Sequence, residues 1–126
     1  MATLRYLVTD VDASIAFYSE LGFELVDRWG PPFAVMRLGD LILWVSGPET
    51  SASKTLPDGS VPKPGGWNRF VIEVPDIEAA MRDLQSKGGR FRSEPISGPG
   101  GRQVLCEDPS GNPIEIFQLR AEKESG

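Results

Sequence analysis

The stretch RFVIEVPDIEAAMRDLQSKGGRF, Arg69–Phe91, decides the fold, because its plan occurs twice in the chain. Phe70, Ile72 and Val74 alternate as one face of a strand. Asp76 supplies a helix N-cap. Ile77, Met81 and Leu84 recur at helical spacing, and Gly88 closes the helix. At an offset of 66 residues, Leu4 to Phe70, the segment LRYLVTDVDASIAFYSELGFEL follows the same order. Leu4, Tyr6 and Val8 form the strand face, and Asp10 or Asp12 caps the helix. Ile15, Tyr18 and Leu21, with Ala16 and Phe17 beside them, form the stripe before Gly22. Self-similarity at a fixed period points to a duplicated structural unit.

Each unit continues with strand signals. In the first they span residues 23–29, 33–38 and 41–45, with Gly39-Asp40 as a tight hairpin turn. In the second they span 90–94, 103–107 and 113–118, the last preceded by the turn DPSGN. The segment SGPGGRQVL does not run from strand to helix, so it predicts a flexible hairpin at a cleft mouth rather than a phosphate loop. Each unit therefore reads β-α-β-β-β, and the chain as an α+β fold. Residues 1–126 form a single domain, with modules 1–46 and 67–119 joined by loop 47–66. That loop is rich in Pro, Gly and Ser and has no periodicity. A passive connector and a lid or dimer-crossing segment both fit such a loop. A helix covers one face of each small sheet, so the other face must meet the second module, a second subunit or a ligand.

Composition narrows the function classes. With 40% hydrophobic and 25% charged residues, the chain is an ordinary globular sequence. No apolar run reaches the roughly 20 residues that span a membrane, and the N-terminus lacks a secretory pattern, so a cytoplasmic protein is expected. The net charge of −5 argues against nucleic acid and is compatible with cationic ligands. Cys106 is the single cysteine and there is no histidine. No intrachain disulfide can form, and Cys106 in the apolar run QVLC reads as a small buried side chain. Residues 120–126, RAEKESG, are expected to fray.

Three motifs carry a resemblance: VTDVDASIAFYSELGFEL, RFVIEVPDIEAA and EDPSGNPIEIFQ. In this order and spacing the chain resembles the glyoxalase/bleomycin-resistance/dioxygenase group, the vicinal-oxygen-chelate superfamily, over nearly its whole length. The resemblance implies two modules forming a half-open sheet around a cleft, and commonly a homodimer. In metal-dependent members the first and last strands of each module bring ligands to a divalent ion. The first-strand ligand stands seven residues before the aspartate of the strand-helix turn. Here those positions hold Thr3 and Arg69. The last-strand ligand of the second module matches Glu115 of GNPIE. Aligning Gly39 with Gly111 puts Leu43 at the first module's equivalent.

Thr3, Leu43, Arg69 and Glu115 do not suit a metal. One carboxylate remains, and a permanently cationic arginine repels a dication. Zinc and its transition-metal neighbours lean on imidazole or thiolate. Neither a metal nor another cofactor is therefore expected, and no catalytic residue is assigned.

Strand alternation places Arg5, Leu43, Arg69, Glu115 and Phe117 on the cleft side, with Trp44 under the helices. Arg69 and Glu115 are expected to pair across the cleft, either satisfying each other or holding a ligand. Trp29, Phe33 and Trp67 suggest a planar or aromatic ligand, although core or interface packing is the alternative for Trp29 and Trp67. Gln103 completes the candidate set.

The bleomycin-resistance branch, in which small acidic dimers sequester a drug without metal ligands, gives the leading expectation. On that view the chain is a small-molecule binding protein for a bulky natural product or antibiotic. A metal-independent lyase, isomerase or cyclase with Glu115 as general base is the alternative. An arginine neighbour favours a stable carboxylate and works against that alternative. A regulatory or interaction module with a vestigial cleft is the third reading.

Overall fold

Asp10 and Asp76 perform the same task in the two modules. In the computed structural model, which describes residues 2–120, each sits in extended conformation and accepts a hydrogen bond from the backbone N–H three residues on, from Ala13 and Ala79. That contact satisfies one of the N–H groups a helix start leaves unpaired. Helix α1 runs Val11–Glu20 and α2 runs Ile77–Gln85. Beyond both, glycine takes the left-handed conformation that L side chains resist, Gly22 at φ +105° and Gly88 at φ +92°.

Strand β1 (Leu4–Leu7) precedes α1; β2 (Glu24–Arg28), β3 (Phe33–Leu38) and β4 (Leu41–Ser46) follow it. They form a sheet in the order β1-β4-β3-β2, with β1 parallel to β4. The second module repeats this with β5 (Val71–Glu73), β6 (Arg90–Phe91), β8 (Gly101–Glu107) and β9 (Pro113–Leu119), in the order β5-β9-β8-β6. It adds β7 (Ile96–Gly98), which pairs with β8 around a two-residue turn, Pro99-Gly100. The expected strand over 90–94 is thus shorter, and SGPGGRQVL does form a hairpin. Between the modules, residues 51–53 make one turn of 3-10 helix. The tail residues 121–126, for which fraying was expected, lie outside the described residues.

The apolar stripes of both modules converge on one cluster. Phe17 and Tyr18 of α1, Leu43 and Val45 of β4, Ile77 and Leu84 of α2, and Ile114 and Ile116 of β9 are all buried in it. Tyr18 is its hub, with Phe17, Phe23 and Tyr6 edge-on around it. Phe70 bridges the modules by packing on Tyr6, ring centroids 5.6 Å apart. Burying one such ring contributes about 2–3 kcal/mol.

Strand β4 corrects the expected facing. Leu43 is 0% exposed and belongs to the core, whereas Trp44 is half-buried on the opposite face. The two hairpins differ in length. Gly39-Asp40 is a two-residue loop between paired Leu38 and Leu41. The equivalent loop of the second module has five residues, Asp108–Asn112, between paired Glu107 and Pro113. The strand pairing rather than the turn fixes the equivalence: Arg5 pairs with Trp44 as Val71 pairs with Glu115, so aligning the glycines slips the count by one residue, and a one-residue slip exchanges the faces of a strand.

Candidate functional site

Register shows which side chains share the open faces. In the first sheet Arg5, Trp44 and Val35 lie abreast on β1, β4 and β3. In the second, Val71, Glu115 and Leu105 lie abreast on β5, β9 and β8. Trp44 thus occupies the slot that Glu115 occupies in the other module.

Arg69 and Glu115 form the expected pair. Arg69 donates from Nη2 and Nε to Glu115 Oε1 at 2.9 and 3.2 Å, and from Nη1 to the Trp67 carbonyl at 3.2 Å. The Glu115 side chain is only 13% exposed, so its charge is met by a fixed guanidinium rather than by bulk water. The backbone also joins here, since Glu115 N donates to the Phe70 carbonyl.

Arg5 solves the same problem differently. Its guanidinium lies over the Trp44 ring, 4.9 Å from the centroid, and Nη1 donates to Ser46 Oγ at 3.3 Å. Phe33 meets Trp44 edge-on at 5.7 Å. This stack holds a cation on an aromatic face without a carboxylate.

Between β1 and the segment leading into β5 lies a cleft of about 410 Å³, onto which Arg5, Tyr6, Lys63, Asn68, Arg69 and Asn112 open. Tyr6 donates its hydroxyl to the Pro113 carbonyl, and burial pushes its phenol up to about 12, so it stays protonated. Cys106 is buried and its thiol is likewise pushed up to about 12, chiefly by desolvation, which makes it a packing residue rather than a nucleophile.

The remaining candidates disperse. Phe117 and Gln103 are cross-strand partners, Phe117 lying two residues beyond Glu115 on the same face. Trp67 is 68% exposed and stacks on Arg92, 4.5 Å from the guanidinium carbon. Trp29 is 66% exposed, its indole N–H bonded to Asp27, and it does not line the cleft. Leu43 is in the core. The structure thus brings Arg5, Arg69 and Glu115 to one region, sets Phe33 edge-on to Trp44 beside Arg5, and leaves Trp29 and Leu43 outside it.

One residue escaped the sequence reading. Asp108, which looked like a turn former, is fully buried and accepts four hydrogen bonds. Ser110 N and Asn112 N reach Oδ1 at 2.9 Å each; Tyr18 Oη and Asn112 Nδ2 reach Oδ2 at 2.7 and 3.0 Å. Burial raises its carboxyl above the ordinary aspartate value, and the donated hydrogen bonds only partly oppose that. Asn112 also donates to the Leu7 carbonyl and accepts from Gly65 N, tying β1 and the end of the long loop to this turn. The signal available beforehand was the tyrosine on the apolar stripe of α1, whose hydroxyl needs a partner once buried.

With the facing corrected, the four positions of the metal-dependent pattern hold Thr3, Trp44, Arg69 and Glu115. Tryptophan offers no metal donor, and Arg69 occupies the one carboxylate. Among the described residues no three of His, Cys, Asp and Glu come together as a ligand group. The donor set does not fit a divalent cation.

Paired β-α-β-β-β modules, each a four-stranded path with a helix on one face, define the class of fold. Residues 1–116 match the Glyoxalase/Bleomycin resistance protein/Dioxygenase superfamily, and the chain belongs to it. It is 29% identical over 108 residues to an uncharacterized protein of Mycolicibacterium smegmatis, covering 86% of this chain and 84% of the other. It is 30% identical over 129 residues to a probable chloroplastic lactoylglutathione lyase of Arabidopsis thaliana, covering 94% of this chain but only 35% of that protein. Among solved structures, a family member from Burkholderia phytofirmans superposes with a TM-score of 0.77 at 18% identity, covering 94% of this chain and 97% of that one. No helix of the described residues is long and apolar enough to cross a membrane.

Proposed function

We propose that the chain is a metal-independent small-molecule binding protein that holds a planar or bulky ligand against its open cleft. One observation carries this reading: an Arg69–Glu115 ion pair stands where metal-dependent relatives would need ligands. The aromatic surface of Trp44 and Phe33, set beside Arg5, favours a flat ligand. A natural product or antibiotic held by sequestration is the reading that needs no catalytic group. Exposed Val71, Ile96, Leu119 and Trp67 on the second sheet and its approach favour coverage by a second copy, so the working unit is a homodimer.

The test is tryptophan quenching by planar natural products, with and without EDTA, together with the mass in solution. Saturable binding that EDTA leaves unchanged is expected, from a dimer. Binding or activity that EDTA abolishes would overturn the metal-independent reading. Turnover of a bound compound without metal, lost in Glu115→Gln, would make the protein an enzyme with Glu115 as base. Against that outcome, Glu115 already accepts two hydrogen bonds from Arg69.

A further inference from the structure

The chain carries a net charge of −5, yet the cleft beside β1 has the opposite character. Arg5, Lys63 and Arg69 line it, and no carboxylate does. Glu115 of β9, which does not itself line the cleft, pairs with Arg69 and offsets one of the three charges. Among the described residues neither Arg5 nor Lys63 has a carboxylate within ion-pair distance. Arg5 is fixed over Trp44 with a single hydrogen bond, to Ser46, which leaves most of its N–H groups free for a ligand. Asn68 adds a neutral donor on the same wall. Converging like charges repel unless an anion sits between them. A net local charge of about two cations in an otherwise acidic protein is a focused field for an anion.

We propose that this cleft is an oxyanion site, and that the ligand it takes is an aromatic or polycyclic carboxylate rather than a cation. The carboxylate lies between Arg5 and Lys63, with Arg69 as third neighbour. At about 410 Å³ the cleft has room for an organic body beyond the oxyanion itself. This rests on the ligand-binding reading above and names its ligand class. Overall acidity, which is compatible with cationic ligands, is thus not the local character of this cleft.

The experiment compares three probes of one shape, 2-naphthoate, 2-naphthylmethanol and 2-naphthylmethylammonium, by calorimetry on the full chain, with amide shifts to locate them. Naphthoate is expected to bind at least about tenfold tighter than the alcohol, with the ammonium weakest. Its affinity should fall as ionic strength rises past about 0.1 M. Lys63→Ala and Arg5→Gln should each remove most of the advantage of acid over alcohol. Both side chains are exposed, and circular dichroism checks each variant's fold; Lys63→Ala alone suffices if Arg5→Gln is unstable. Inorganic phosphate displacing naphthoate would support an oxyanion site. Equal binding of acid and alcohol, or shifts confined to residues away from Arg5, Lys63 and Asn68, would overturn the anion site and leave metal-independent binding standing. Absence of binding by all three probes would remove both.

Discussion

The two modules share a chain plan and differ in how each stabilises its central strand and turn. In the first, a two-residue turn leads into a strand that presents Trp44, and a neighbouring arginine stacks on the ring. In the second, a five-residue turn built on buried Asp108 leads into a strand that presents Glu115, and a neighbouring arginine pairs with the carboxylate. Both arrangements fix a guanidinium at the cleft. Only the second neutralises it. The duplication has therefore kept the scaffold while splitting the electrostatics, so that among the described residues the cleft cations without a carboxylate partner, Arg5 and Lys63, lie on the first module's side and the connector.

The largest break in the comparison is at the turns. Asp108→Ala strands four donors in or near the core and should cost about 3–4 kcal/mol in urea unfolding. Asp40→Ala, in the exposed two-residue turn, should stay within about 0.5 kcal/mol. Equal losses would show that the Asp108 network carries no special weight. Next comes the ion pair. Glu115→Gln should lower stability by about 1 kcal/mol, since the pair is partly buried, and should tighten naphthoate binding by freeing Arg69. A smaller effect is expected for Arg5→Met, which keeps the stem over Trp44 and loses the charge: about 0.5–1 kcal/mol.

Acid titration gives the subtlest contrast. The folded state holds the Asp108 proton more tightly than the unfolded chain does, because burial raises its carboxyl. Its contribution is therefore fully present below the ordinary aspartate range and is lost as pH rises through the raised value. Stability of the native protein minus that of Asp108→Asn should rise as pH falls through this window. A flat difference would mean that the four donors cancel the burial cost.

Much of the scaffold was readable because local and global signals agree. Asp10 and Asp76 cap helices, Gly22 and Gly88 follow them, and alternating apolar residues mark the strands between. The Arg69–Glu115 pair was readable through the family resemblance, which marks both positions as facing the cleft, where an arginine and a carboxylate are expected to pair. The facing of β4 was not, because it is set by parallel pairing with β1, which no local motif shows, and a glycine made a misleading anchor. Hence Leu43 was placed in the cleft and Trp44 in the core, the reverse of the structure. Strand β7 was hidden because Pro95 and the glycines around Ile96–Gly98 read as a loop. Asp108 was hidden because an aspartate before Pro-Ser-Gly reads as a turn former whether it faces water or the core. The basic character of the cleft was hidden because Arg5, Lys63 and Arg69 are dispersed in sequence within an acidic whole.

The Asn112 junction has a mechanical meaning. Gly65 is tied to Asn112, and at the other end of the connector Gly47 donates to the Pro32 carbonyl at 2.7 Å. Both ends are thus fastened to the body, while the apolar cluster joins the modules independently of the chain between them. The connector is therefore not what holds the modules together. A protease cut within its exposed stretch, Leu56–Val61, should leave two fragments that elute together.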